Sequence, residues 1–110
     1  MRHAPLVFFA CAAAAGTGAQ DKAVVQELYR ARCQQCHMAD GNSPLEPMNF
    51  TDAKWIHGSK RVEVAKVISE GVPGTAMLAF KSQLTPEEVE ALASYVRAFD
   101  KSLKPEKGEK

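Results

Sequence analysis

Several things are missing from this sequence. No apolar run reaches the roughly 20 residues a transmembrane helix needs. No stretch alternates apolar and polar side chains as a half-buried strand does, so sheet-built folds are set aside. Positive charge is not in excess, with 14 Lys and Arg against 13 Asp and Glu in 110 residues. That argues against an electrostatic nucleic-acid binder. Cysteine and histidine are scarce, at three each, too few to leave a convincing zinc set once the N-terminus is discounted. What is present is ordinary for one soluble globular domain: 45% hydrophobic and 25% charged residues.

The N-terminus reads as a leader rather than as part of the fold. Met1-Arg2-His3 is a short basic start, residues 6–15 are almost wholly apolar, and Gly16-Thr17-Gly18-Ala19 is a run of small residues. This is the layout of a secretory signal peptide, residues 1–19, with cleavage expected after Ala19. Cys11 follows Phe8-Phe9-Ala10, which matches a lipid-attachment box only at Ala10. It reads as a passenger of the leader; lipidation there would instead make a membrane-anchored lipoprotein. Loss of Arg2 from the 14 basic residues leaves 13 against 13 acidic ones, so the exported chain is near neutral. The sign of charge on a docking partner stays open.

Residues 20–100 read as the domain, and residues 101–110 as a flexible charged tail without apolar periodicity. Residues 21–32 predict a helix capped by Asp21, with Val24, Val25, Leu28 and Tyr29 on one face. Asp40-Gly41-Asn42-Ser43-Pro44 and then Pro47 predict a loop. A short helix is expected from a Ser59 cap, with Val64, Val67 and Ile68 inward and Gly71 at its C-terminus. The last helix has the fullest signature: Thr85 as cap, Pro86 at the first position, Glu88 closing a capping box. Its apolar face is Val89, Leu92, Ala93, Val96 and Phe99. The fold class is therefore all-α. Helices this short bury little, and a domain this small needs a staple.

Cys33-Gln34-Gln35-Cys36-His37 supplies one. C-x-x-C-H is the attachment signal for c-type haem. Two thiols on one turn can each add to a haem vinyl group, and the next residue, His37, lies under the iron. A thioredoxin-type pair would sit after a strand in a βαβ pattern. A zinc site would need two more ligands, and only His57 is left once His3 goes with the leader. A plain disulfide gives His37 no role. One covalent haem c is the expected cofactor.

The other axial ligand must come from further along, from Met38, Met48, His57 or Met77. Met38 is tethered to the same haem side as His37. Met48 sits in a proline-flanked loop without backbone room. His57 would lower the reduction potential relative to methionine. Met77 has the best setting, because Gly71, Pro73 and Gly74 let the backbone cross a flat haem face. His37 and Met77 are thus the expected metal ligands, an arrangement suited to an electron carrier.

With these residues in view, nearly all of the exported chain resembles the class I cytochrome c family. Cys33, Cys36 and His37 match its haem motif; residues 71–80 look like its methionine loop; the Tyr95-bearing helix looks like its C-terminal helix. Asn49-Phe50-Thr51-Asp52 with Trp55 resembles small bacterial members related to cytochrome subunits of cbb3-type oxidases. The resemblance implies three to four short helices wrapped around one covalently attached haem. It also implies a proline carbonyl accepting the His37 ring N–H; Pro44 and Pro47 both qualify, with Pro47 preferred. Trp55 is expected either to donate to a haem propionate or simply to fill the core. The sequence departs from the family at Val25, where many members have glycine, which puts the helix-crossing geometry in question.

The function so implied is electron transfer by Fe(II)/Fe(III) cycling, between redox partner proteins, by a periplasmic monomer that is not an enzyme. An apolar pocket of Tyr29, Phe50, Val67, Ile68, Phe80 and Leu92 would disfavour the oxidised state. Lys54, Lys60 and Lys81 are candidate rim residues for docking. Two other classes stay open: a subunit of a larger redox complex, and a haem sensor or enzyme with a labile distal ligand.

Overall fold

The computed structural model describes residues 21–109; the expected leader and Cys11 lie outside them. Four α-helices make up the regular structure: α1 (Lys22–Arg32), α2 (Gln34–His37), α3 (Arg61–Glu70) and α4 (Pro86–Arg97). A single 3-10 turn spans Glu46–Met48. No strand occurs among the described residues. The all-α class and the short helices are as expected from the sequence.

Local chemistry explains the helix ends. The Asp21 carboxylate accepts from the Ala23 N–H at 3.2 Å and starts α1. Thr85 and Glu88 exchange hydrogen bonds at 3.1 and 2.8 Å, closing the capping box of α4, with Pro86 at its first position. The start of α3 differs from expectation. Its cap is Lys60, not Ser59; Glu63 reaches back to accept the Lys60 N–H at 3.1 Å. Ser59 has another use, its carbonyl accepting from the Arg97 guanidinium. Gly71 ends α3 at φ 68°.

The core lies where α4 meets α1 and α3. Val25, Tyr29, Val64, Ile68, Leu84, Val89, Leu92, Ala93 and Val96 are all buried. Val24, expected inward, is 45% exposed and belongs to the outer face of α1. Val25 fits the core at 5% exposure despite its branched side chain. Where α1 crosses α4, Tyr29, Tyr95 and Phe99 form a triangle of rings with centroids 5.1–5.4 Å apart. Contacts of this kind add stability beyond their buried area.

The tail, expected to hang free, lies against the domain in this structure. Arg97 is buried, and its guanidinium meets the Glu109 carboxylate at 3.3 Å and the Lys104 carbonyl at 3.0 Å. Glu106 accepts from the Arg61 N–H at 2.7 Å. The segment lacks apolar periodicity because charge pairing, not apolar burial, holds it. No helix among the described residues is long and apolar enough to cross a membrane.

Candidate functional site

The site begins where α1 runs into α2. The Cys33 N–H continues the ladder to the Tyr29 carbonyl at 2.8 Å, and the His37 N–H returns to the Cys33 carbonyl at 3.0 Å. One tight turn therefore presents Cys33, Cys36 and His37 together. Both cysteines are free thiols, Cys36 exposed and Cys33 half-buried. Before any group is attached, burial pushes the Cys33 thiol up to about 11, against the pull of Arg32.

His37 is held from two sides. Its Nδ1 lies 2.7 Å from the Met48 carbonyl. A carbonyl only accepts, so Nδ1 must carry the proton and Nε2 keeps the lone pair that binds metal. The imidazole also stacks on Phe50, centroids 4.3 Å apart and planes 20° from parallel. Burial holds the ring below its ordinary 6.5, outweighing the opposite effect of the Met48 bond. A neutral, oriented imidazole is what a metal requires.

The acceptor is not the expected Pro47 but the next residue. The 3-10 turn explains the shift: the Met48 N–H bonds to Leu45 and the Asn49 N–H to Glu46, turning the Met48 carbonyl toward the histidine. Of the two expectations for Trp55, the core one fits: it packs against the core, and its indole N–H donates to the Asp100 carboxylate at 2.8 Å. Neither Met48's backbone role nor Asp100 was found from sequence. The only available signal was that a proline-rich loop must present some carbonyl.

On the other side, Met77 is half-buried and packs at the edge of the core. Its carbonyl accepts from the Val72 N–H at 3.0 Å, closing the loop on itself. A Cβ at Gly71 would come within 2.6 Å of that carbonyl, so glycine is needed both for φ and for space. His57 is exposed. Of the expected rim lysines, Lys54 is paired with Glu46 at 2.7 Å; Lys60 and Lys81 are exposed.

These residues fit a haem. Two unpaired thiols flank a histidine whose tautomer leaves Nε2 for iron. Leu45, Ile56 and Leu78, which belong to the Met48, Trp55 and Met77 segments, are 58%, 68% and 65% exposed. Apolar side chains so bare suit a flat apolar group that would cover them. Among the described residues, no cluster of three or more His, Cys, Asp or Glu offers a competing metal site.

A family model described as cytochrome c oxidase, cbb3-type, subunit III matches residues 20–96. The chain belongs to this cytochrome c family. Its cofactor is covalently bound haem c. Among curated relatives, the cbb3-type oxidase subunit CcoP of Rubrivivax gelatinosus is 32% identical over 77 residues, covering 70% of this chain but 25% of that protein. Cytochrome c6 of Rippkaea orientalis is 30% identical over 93 residues, covering 84% of this chain and 83% of that one. The chain thus spans about a quarter of the CcoP and FixP relatives it matches. Among solved structures, the KustC0563 c-type cytochrome is similar with TM-score 0.58 and 39% identity, over 69% of this chain and 96% of that one. Cytochrome c6 of the diatom Phaeodactylum tricornutum gives TM-score 0.61 and 25% identity, over 76% and 98%. Membership in the cytochrome c family is consistent with electron transfer.

Proposed function

We propose that this cytochrome c domain is a single-haem electron carrier that exchanges one electron at a time with redox partner proteins and catalyses no substrate chemistry. The supporting observation is the double hold on His37, by the Met48 carbonyl and the Phe50 ring, beside a free thiol pair. When bound, the haem supplies an iron that cycles between Fe(II) and Fe(III). The chain supplies the rest. Cys33 and Cys36 would anchor the group, and His37 Nε2 and the Met77 sulfur would hold its iron. Tyr29, Ile68 and Leu92, with half-buried Phe50, Val67 and Phe80, keep water away and disfavour the added positive charge of the oxidised state. Lys60 and Lys81 are free to meet a partner; Lys54 is engaged with Glu46.

Residues 1–19 would direct the chain to the periplasm, and a lipid on Cys11 would tether it there. The similarity to cytochrome c6 over most of both chains favours a diffusing monomer. The match to one quarter of CcoP and FixP favours a second reading, a domain working inside a larger redox assembly.

The test is to express the chain with export and haem-maturation machinery and record its absorption. Pyridine haemochrome analysis should find one covalent haem. The oxidised protein should show the weak far-red band of iron–sulfur ligation, and the reduced protein should not take up carbon monoxide. Colourless protein sinks the whole reading; ready carbon monoxide binding replaces the carrier with a sensor or enzyme. Copurification with oxidase subunits selects the assembly over the shuttle.

A further inference from the structure

Asp100 is almost sealed from solvent, at 3% exposure, although it lies beyond the last helix. One carboxylate oxygen accepts from the Ser102 N–H and hydroxyl at 2.9 and 2.6 Å. The other accepts from the Trp55 indole at 2.8 Å. Trp55 stacks on Phe50, centroids 5.6 Å apart and planes 13° from parallel. Phe50 stacks in turn on His37 at 4.3 Å. Phe99, the neighbour of Asp100, lies 6.2 Å from Phe50 and within 5° of parallel. A continuous series of contacts therefore runs from a carboxylate after α4 to the proximal imidazole.

The Met48 carbonyl fixes His37 at a single point, Nδ1. One hydrogen bond restrains the ring less than a hydrogen bond and a packed face together. The packed face is Phe50, which needs backing of its own. Its backbone is tied to the Gly41 carbonyl at 2.8 Å, and Trp55 backs its ring. Trp55 sits in a segment with no helix to hold it. Its indole bond goes to a charged acceptor, which is stronger than a neutral one.

We propose that Asp100 is a positioning residue for the proximal ligand: through Trp55 and Phe50 it fixes the rotation of the His37 imidazole plane over the haem. This rests on His37 being the iron ligand. Rotation of that plane sets which iron d orbital holds the unpaired electron in the oxidised state. The order of the paramagnetically shifted haem-methyl proton resonances reports it directly.

The experiment uses the matured holoprotein and four variants: Trp55→Phe, Asp100→Ala, Asp100→Asn, and Trp55→Phe combined with Asp100→Ala. Trp55→Phe and Asp100→Ala should shift the methyl pattern in the same sense. The double variant should shift it no further than the larger single effect. Asp100→Asn, which keeps one neutral acceptor oxygen where the carboxylate has two charged ones, should shift the pattern in the same sense as Asp100→Ala but less. Unchanged methyl patterns in Trp55→Phe and Asp100→Ala, with only a lower melting temperature, would reduce Asp100 to a structural role and overturn the proposal. So would an Asp100→Asn variant whose reduction potential moves as far as that of Asp100→Ala with the methyls unmoved, since charge alone would then act. If Asp100→Ala does not mature, Trp55→Phe against Asp100→Asn decides the same question. Colourless wild-type protein would instead defeat the haem reading itself, so the two failures are distinguishable.

Discussion

The two sides of the site are built on different principles. On one side, His37 is held by a carbonyl 2.7 Å away and by an aromatic face, and its neighbours Phe50 and Trp55 are linked in series to Asp100 in the segment after α4. On the other side, Met77 sits in a loop held by its own backbone and by the left-handed turn at Gly71. Side-chain packing sets His37; backbone geometry, with the Thr75 hydroxyl accepting from the Met77 N–H at 3.2 Å, sets Met77, the other proposed ligand. The first arrangement is orienting and redundant, while the second depends on one glycine.

Removing each ligand in turn tests that contrast most severely. His37→Ala should cost nearly all of the holoprotein, because the proximal turn loses the group that seats the iron during maturation; haemochrome yield per milligram of protein measures it. Met77→Ala should keep its covalent haem but lose the far-red band and bind carbon monoxide when reduced. If both variants retained haem and ligation equally, the asymmetry would be wrong.

A smaller effect is expected at Gly71→Ala. A β-carbon there meets the Met77 carbonyl at 2.6 Å and forces a non-glycine residue to φ 68°. The cost should be about 1–3 kcal/mol, read in denaturant unfolding, with the far-red band weakened and His37 ligation intact. Full retention of the band would show that the distal loop has more support than its hydrogen bonds suggest.

The smallest effect concerns acid. Burial alone would raise the Asp100 carboxyl, but the bonds from Ser102 and Trp55, with nearby Arg97, outweigh it and hold it below 3.8. A carboxyl depressed by folding stabilises the protein above 3.8, and that contribution is lost as pH falls through its folded value. Asp100→Asn should therefore lower the melting temperature at neutral pH and flatten the acid side of the profile, the variant and wild type converging as pH falls below the folded value. Parallel profiles would remove Asp100 as a source of acid sensitivity.

How much of this was legible in the sequence follows from distance along the chain. C-x-x-C-H, the Thr85–Glu88 capping box and the Asp21 cap are local, and spacing alone reveals them. The glycine and proline around Met77 mark a loop for the same reason. The choice of Met48 over Pro47 is a matter of one residue inside a 3-10 turn, finer than any periodicity resolves. Trp55–Asp100 and Arg61–Glu106 each span 45 residues. Such pairs depend on how helices cross, and residue spacing within a helix carries no record of that. Arg97 carries no such signal either: its partners Lys104, Glu106 and Glu109 fold back on it from the tail.

Met38 sits directly after His37 with φ 66° and ψ 161°, a region that only glycine occupies without strain. The Tyr29 hydroxyl clips its carbonyl from α1 at 2.6 Å. The chain thus turns away from His37 at an angle its own side chain resists, and a buried phenol keeps it bent. Glycine at this one position would relax about 1–3 kcal/mol. A reserve of thermal robustness therefore lies unused one residue from His37, available without altering either side chain proposed to hold the iron.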